Sequence, residues 1–253
     1  MEEIAFLLSN RIPRQALTHF MGWFSRIEQP LVARPALALW RAFADLRLDE
    51  ARKASFSSIH DCFTRELKPG ARTFDRDASI VASPCDGIVG ACGTIEDGTL
   101  LQAKGFTYRV EELTGKRVHD GTYATIRITP SMYHRFHAPC DLHVTGVTYF
   151  SGDTWNVNPI ALKRVEKLFC KNERALVPLR LEASGHEVLL VPVAAILVGG
   201  IVVHTGPRFA KGAEMGWFEH GSTIVVLGPP GFSLLAKPNA FIKTGQALMR
   251  INS

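Results

Sequence analysis

Met215-Gly216-Trp217-Phe218-Glu219-His220-Gly221-Ser222-Thr223-Ile224-Val225-Val226 changes character at its centre, where a glycine-serine pair leads into a β-branched run. That pattern predicts a turn entering a strand. A serine there has its hydroxyl close to the preceding carbonyl, and glycine minimises crowding at the carbon to be attacked. Attack of Ser222 on the Gly221 carbonyl would turn the amide into an ester. Elimination from that ester would leave a dehydroalanine, which hydrolyses to a pyruvoyl group. The same letters also fit an ordinary turn glycine followed by a strand serine, and the tripeptide alone does not separate the two readings.

Outward from this stretch, the 253 residues are 46% hydrophobic, enough to bury a substantial core as one domain with an appendage. Five cysteines, at positions 62, 85, 92, 140 and 170, form no Cys-x-x-Cys pair and leave an odd count. That favours a reducing compartment over a disulfide framework and argues against a structural zinc site. The formal charge of +5 suits an anionic membrane surface, and because Lys and Arg form no long block, nucleic acid is not an expected partner.

Glu2 and Glu3 give the N-terminus the wrong charge for a cleavable secretory signal. From Arg14 to Ile27, the spacing of Leu17, Phe20, Met21, Phe24 and Ile27 predicts an amphipathic helix with Trp23 beside it. A second helix is expected after Pro30 and Pro35, with Leu37, Leu39, Trp40, Phe43, Ala44 and Leu46 among Arg34, Arg41 and Arg47. Such faces suit an in-plane helix on anionic lipid, or packing on the core or on a second subunit; neither segment is a transmembrane span. A short helix is expected between Ser57 and Leu67 and another at Ile160 to Phe169. Elsewhere, short β-branched segments are separated by Gly, Pro, Asp or Asn: Ile80 to Ala82, Gly87 to Ala91, Tyr123 to Ile128, Leu142 to Phe150, Ala175 to Leu181 and Glu187 to Val203. The last contains Pro192 and Gly199-Gly200, so two buried strands with a turn are expected there. The fold class is therefore α+β, with N-terminal helices (residues 1–56) preceding a mainly antiparallel β-rich unit (57–253).

Other segments join the Gly-Ser pair. Ala82-Ser83-Pro84-Cys85-Asp86-Gly87, Tyr133-His134-Arg135-Phe136-His137-Ala138-Pro139, Phe63-Thr64-Arg65-Glu66-Leu67-Lys68-Pro69, Leu101-Gln102-Ala103-Lys104-Gly105, Asn172-Glu173-Arg174 and Lys211-Gly212-Ala213-Glu214-Met215-Gly216 follow one another in order. Together they resemble the phosphatidylserine decarboxylases, pyruvoyl-dependent enzymes made as self-processing proenzymes. The resemblance covers most of the chain and is weakest in the first sixty residues. The sequence departs from the usual pattern at His220, where many members have leucine, and at Met132, where an acidic residue often precedes Tyr-His.

The resemblance implies a self-processing triad of Asp86, His137 and Ser222: His137 as base, Asp86 as its partner, and Ser222 as nucleophile and precursor of the pyruvoyl cofactor. Cleavage would fall between Gly221 and Ser222. His134, three residues before His137, would serve decarboxylation as the acid that protonates the carbanion; if Tyr133 to Pro139 is irregular or one helical turn, both imidazoles can face one pocket. The expected reaction converts phosphatidylserine to phosphatidylethanolamine through a Schiff base, with no external cofactor and no metal. Lys104 and Arg174 are candidates for the lipid phosphate or carboxylate, though ordinary surface cations fit them as well. A homodimer, association of the two cleavage fragments, and a peripheral position on the cytoplasmic face of a membrane are implied too.

Two other classes remain open on the residues. Ile242-Lys243-Thr244-Gly245-Gln246-Ala247-Leu248-Met249 and Ser83-Pro84-Cys85-Asp86-Gly87 have the flavour of a barrel-sandwich hybrid, as in lipoyl or biotinyl carriers, yet no lysine stands out as the modifiable one. A serine hydrolase using Ser222 would lack the Gly-x-Ser-x-Gly elbow.

Overall fold

The computed structural model describes residues 14–103, 106–195, 200–219 and 222–252. Its centre is the strand Ser222–Gly228, every residue of which is buried. It lies antiparallel between Glu187–Ala194, where Ser222 faces Ala194, and Gly121–Ile128, where Ser222 faces Ile128. A strand covered on both faces needs no polar alternation, which is why it reads as an unbroken β-branched run.

The sheet continues through Arg174–Leu181 and Leu142–Val144 to Arg208–Phe209 on one side, and through Gly87–Ile95 to Phe241–Ile242 on the other. Thr148–Phe150 also pairs with Arg174–Leu181. Ile201–Val203, Glu214–Phe218 and Arg135–His137 form a second antiparallel sheet, and Ile80–Ala82, Ala247–Ile251 and Phe232–Leu234 a third. Among the described residues the large sheet runs edge to edge without closing into a barrel. The expected class, N-terminal helices before a mainly antiparallel β-rich core, is what is found.

Glu187 to Val203 holds the two strands expected, Glu187–Ala194 and Ile201–Val203, which belong to different sheets. Two local expectations need correction. Leu142 to Phe150 is two strands, separated at residues 145–147. Ile160 to Phe169 is not one helix but two turns, Pro159–Leu162 and Leu168–Lys171, with Lys167 left-handed at φ 53°. The buried Gln102 accounts for the break. Its amide donates to the carbonyls of Leu162 and Val165 at 2.9 and 2.8 Å and accepts the Leu168 N–H at 2.7 Å, satisfying backbone groups that a continuous helix would pair internally. The short helix Ile59–Phe63 forms within the expected 57–67 segment, where the Ser58 hydroxyl accepts the Asp61 N–H.

The first helix, Arg14–Ser25, buries its small residues. Thr18, Gly22 and Ser25 face inward, with the Thr18 hydroxyl 3.4 Å from that of Thr154, while Phe20 and Trp23 are 53% and 63% exposed. The second, Pro30–Phe43, packs Ala33 and Leu37 inward and stacks Trp40 on Phe63, leaving Leu31, Leu39 and Phe43 exposed. Arg26, just past the first helix, pairs with Glu219, three residues before Ser222. The helices are thus fastened over the strands that lead into the Gly221–Ser222 bond.

Candidate active site

Ser222 is fully buried, and its Oγ has no hydrogen-bond partner among the described residues. An orphaned buried hydroxyl is unfavourable unless something else uses it. It lines an apolar cavity of about 660 Å³ whose opposite wall is built by Met21, Phe24, Leu39, Trp40 and Phe43 of the N-terminal helices. Residues 220 and 221, and so the Gly221–Ser222 bond with His220 beside it, lie outside the described residues, as do residues 1–13 and Lys104.

His137 ends the strand Arg135–His137. Its Nδ1 lies 2.9 Å from the carbonyl oxygen of Gly212 and its Nε2 2.8 Å from the hydroxyl of Tyr133. A carbonyl can only accept, so the proton sits on Nδ1, and Nε2 accepts from Tyr133 O–H. Burial lowers the His137 pKa below its ordinary value, against the opposing pull of the Gly212 hydrogen bond and the charges of Glu214 and Asp86. Burial likewise raises the Tyr133 pKa, which keeps that phenol a donor. His137 is therefore a neutral imidazole with its Nε2 lone pair directed at a hydroxyl, the state a general base requires.

The Gly212 carbonyl is delivered by a backbone at φ +89°, and a Cβ there would meet the Phe74 ring at 3.0 Å, so the position is built for glycine. The strand is fixed beyond His137 by Arg135, which donates to Glu214 at 2.8 Å and lies over the Trp217 ring. His204 also reaches Glu214, at 2.9 Å, and His143 pairs with Glu182 at 3.2 Å, giving both histidines structural partners.

Asp86 is almost wholly buried, and its carboxylate is held from three directions. Arg72 donates through Nε at 2.8 Å and through Nη2 at 2.5 Å, and the backbone N–H and hydroxyl of Thr244 donate at 2.9 and 2.8 Å. Arg72 also bonds Glu50 at 2.8 Å, and Lys243 reaches the other Glu50 oxygen at 3.0 Å. The hydrogen bond from Arg72 is the largest influence in bringing the Glu50 pKa down to about 2. Among the described residues no hydrogen bond joins Asp86 to His137, or either to Ser222. Asp86 acts on His137 through its charge, while the Gly212 carbonyl sets the tautomer.

His134 does not share the surroundings of His137. The chain is extended here, so the two rings part: His134 is fully buried, with Nδ1 2.9 Å from the Met132 carbonyl and its ring 3.8 Å from that of Phe63. Phe63 in turn lines the Ser222 cavity, so His134 lies behind one aromatic layer of that cavity's wall. Arg174 is neither a surface cation nor a free one. Its guanidinium donates to the carbonyls of Leu113, Cys170, Asn172 and Glu112 and stacks over Phe150.

The sequence model of the phosphatidylserine decarboxylase family matches residues 59–250. The chain belongs to the phosphatidylserine decarboxylase family. Relatives named phosphatidylserine decarboxylase proenzyme include one from Myxococcus xanthus, 36% identical with 87% of each chain covered, and one from Brevibacillus brevis, 32% identical over the same shares. Another, from Polaromonas naphthalenivorans, is 32% identical across 98% of this chain and 96% of its own. For a phosphatidylserine decarboxylase family member, the structure adds four residues not singled out from sequence: Tyr133, Gly212, Arg72 and Thr244. Tyr133, Gly212 and Thr244 lie inside segments singled out in the sequence, Thr244 in the strand-turn-strand phrase Ile242 to Met249; Arg72 carries no such signal.

Proposed function

We propose that this chain is a self-processing phosphatidylserine decarboxylase that cleaves between Gly221 and Ser222 and converts Ser222 into its pyruvoyl group. The observation that carries the reading is the place of Ser222: an unpartnered buried hydroxyl at the head of the central strand, facing a large apolar cavity. That site fits the group, since the orphaned oxygen is the atom that processing consumes. When formed, the pyruvoyl group supplies a ketone that condenses with the substrate amine and accepts the electrons released with carbon dioxide.

The protein's own residues do the rest. His137, neutral and with its tautomer set by Gly212, takes the Ser222 proton; Asp86, clamped by Arg72 and Thr244, supplies the negative charge that stabilises the imidazolium. His134 serves turnover as the proton donor, with Phe63 screening it from water. The apolar cavity takes up acyl chain beside the reacting headgroup.

The two helices within residues 1–56 act as a membrane-association segment, while 57–253 forms the catalytic unit. The support is their exposed apolar residues: Phe20, Trp23 and Leu31 lie away from the Ser222 cavity, and Leu39 and Phe43 are exposed while also lining it. Among the described residues no helix is long and apolar enough to cross a membrane, and the attachment we propose is peripheral, on the cytoplasmic side, where the five unpaired cysteines remain thiols.

Intact-mass measurement with denaturing electrophoresis tests the reading, alongside conversion of phosphatidylserine in mixed micelles. Two fragments, the shorter beginning with a blocked residue 222, and formation of phosphatidylethanolamine are expected; Ser222→Ala abolishes both. A single uncut chain that still decarboxylates overturns the mechanism. A hydrolase would stay uncut and label at Ser222 with an active-serine probe, and a carrier would show prosthetic mass on a lysine.

A further inference from the structure

Arg127 lines the Ser222 cavity and also an adjoining one of about 370 Å³. It lies on Gly121–Ile128 opposite Thr223, the residue after Ser222, and opposite Ile88 on the other side. Strand alternation puts Arg127 and Thr223 on one face and Ser222 and Ile128 on the other, so Arg127 stands at the seam where the two cavities meet around the head of the strand. Once the Gly221–Ser222 bond is cut, residue 222 becomes a chain end reachable from both sides.

Other inward arginines are engaged. Arg174 and Arg65 are wrapped in backbone carbonyls, and Arg72 and Arg135 bind carboxylates. Arg127 is half-buried, and among the described residues its side chain makes no hydrogen bond or ion pair. Burial alone lowers its pKa, with no counter-charge to offset the cost. Beside it the Thr223 hydroxyl is fully buried and has no hydrogen-bond partner among the described residues. A cation and an O–H donor, both unsatisfied and next to residue 222, form a receptor for an anion.

On the decarboxylase reading, on which this inference rests, the substrate offers two anions, and the chemistry separates them. The carboxylate loses its charge as carbon dioxide leaves, so a guanidinium bound to it would stabilise the ground state more than the transition state and slow the reaction. The phosphodiester keeps its charge throughout. It is also only a methylene and an ester oxygen from the carbon that bears the reacting amine. We propose that Arg127, assisted by the Thr223 hydroxyl, binds the phosphodiester of the phospholipid and so sets the headgroup against residue 222.

The test compares wild-type protein, Arg127→Gln and Thr223→Val, each confirmed by mass for its cleavage state. Binding of dihexanoylphosphatidylethanolamine, which has the phosphate but no carboxylate, and of dihexanoylglycerol, which has neither, is measured by calorimetry. Hydrogen bonds to charged groups are strong enough that Arg127→Gln should lose about tenfold or more in affinity for the first ligand. Thr223→Val, nearly unchanged in shape, should lose a smaller factor, and the affinity for dihexanoylglycerol should hold in both variants. With dihexanoylphosphatidylserine as substrate, the Arg127→Gln defect should fall mainly on KM. Unchanged affinity for the phosphatidylethanolamine, equal losses on both ligands, or a loss confined to phosphatidylserine overturns the assignment, the last by placing Arg127 on the carboxylate. Because binding requires no turnover, the two readings fail separately. Phosphate-dependent binding through Arg127 without ethanolamine lipid formation would sink the decarboxylase reading, and normal turnover with no Arg127 effect would sink this one.

Discussion

The hydroxyl of Tyr133 donates to Nε2 of His137 across 2.8 Å while the Gly212 carbonyl holds Nδ1, so both imidazole nitrogens are positioned by groups that do not change charge near neutral pH. We predict that Tyr133→Phe, which leaves the ring tethered by Gly212 alone, slows self-cleavage but less than His137→Ala. Loss of the base itself should cost about a hundred- to ten-thousandfold. Loss of the tyrosine hydrogen bond should cost about 1 kcal/mol of stability. Fragment formation in a time course, with denaturant melts alongside, checks the order; a Tyr133→Phe precursor as inert as His137→Ala contradicts it.

The pH profile follows from His137. Burial depresses its folded pKa below 6.5, so the unfolded chain binds the proton more readily. The His137 contribution to stability is present above about 6.5 and is lost as pH falls through the folded value. We predict that self-cleavage is level near neutrality and declines only on the acid side, with a midpoint under 6.5. A midpoint above 6.5 in single-turnover cleavage would show that another group is titrating.

Glu50 gives a second pH signature of opposite chemistry and the same sign. Its carboxylate, held at about 2 chiefly by Arg72, contributes stability above the ordinary 4.5 and loses it as pH falls toward 2. Glu50→Gln should flatten that part of a stability-versus-pH curve. Arg72→Ala should do more, because it leaves buried Asp86 without its cation; breaking such a pair costs about 3–5 kcal/mol. Equal stability of Arg72→Ala and wild type at pH 7 would mean that Thr244 alone satisfies Asp86.

His134 and His137 should separate by function. His134→Gln is predicted to cleave at least partly and then fail in turnover, since its ring lies behind Phe63 and away from the His137 contacts. Equal cleavage defects in His134→Gln and His137→Ala, measured by electrophoresis, would remove the division of labour.

The exposed helix residues give a membrane test that spares the cavity. Phe20, Trp23 and Leu31 are 53%, 63% and 83% exposed and line no part of the Ser222 cavity, so changing all three to serine should leave folding and self-cleavage intact. We predict weaker flotation with anionic vesicles, and partial salt sensitivity in the wild type, since basic residues near such a surface each contribute about 1 kcal/mol. Flotation equal to wild type would instead point to a second copy of the chain as the cover for these faces, checked by its mass in solution.

Periodic and β-branched patterns revealed both N-terminal helices and most strands, because those signals are local, although the first helix ends at Ser25 and the second begins at Pro30, ahead of Pro35. The failure at Ile160 to Phe169 was not local: Gln102, far back in the chain, takes the backbone groups that make the break. The site divides the same way. Asp86, His134, His137 and Ser222 have side chains that advertise chemistry, but the partner that sets the His137 tautomer is a carbonyl, which every residue possesses, and only the left-handed glycine delivering it left a trace. Arg127 looked like any strand arginine until its lack of a partner was visible.

Ser222 begins a strand with strands of the preceding chain on both sides, in register over seven pairs with Gly121–Ile128 and six with Glu187–Ala194. A cut before it turns the innermost element of the sheet into a separate molecule. While the chain is uncut, this strand is covalently joined to the strands that flank it. After the cut, unfolding is also dissociation, and recovery requires two polypeptides to meet and reinsert a middle strand. Maturation would therefore leave a protein held by the slowness of its unfolding, one that forms its fold only once, before it acquires its reactive end.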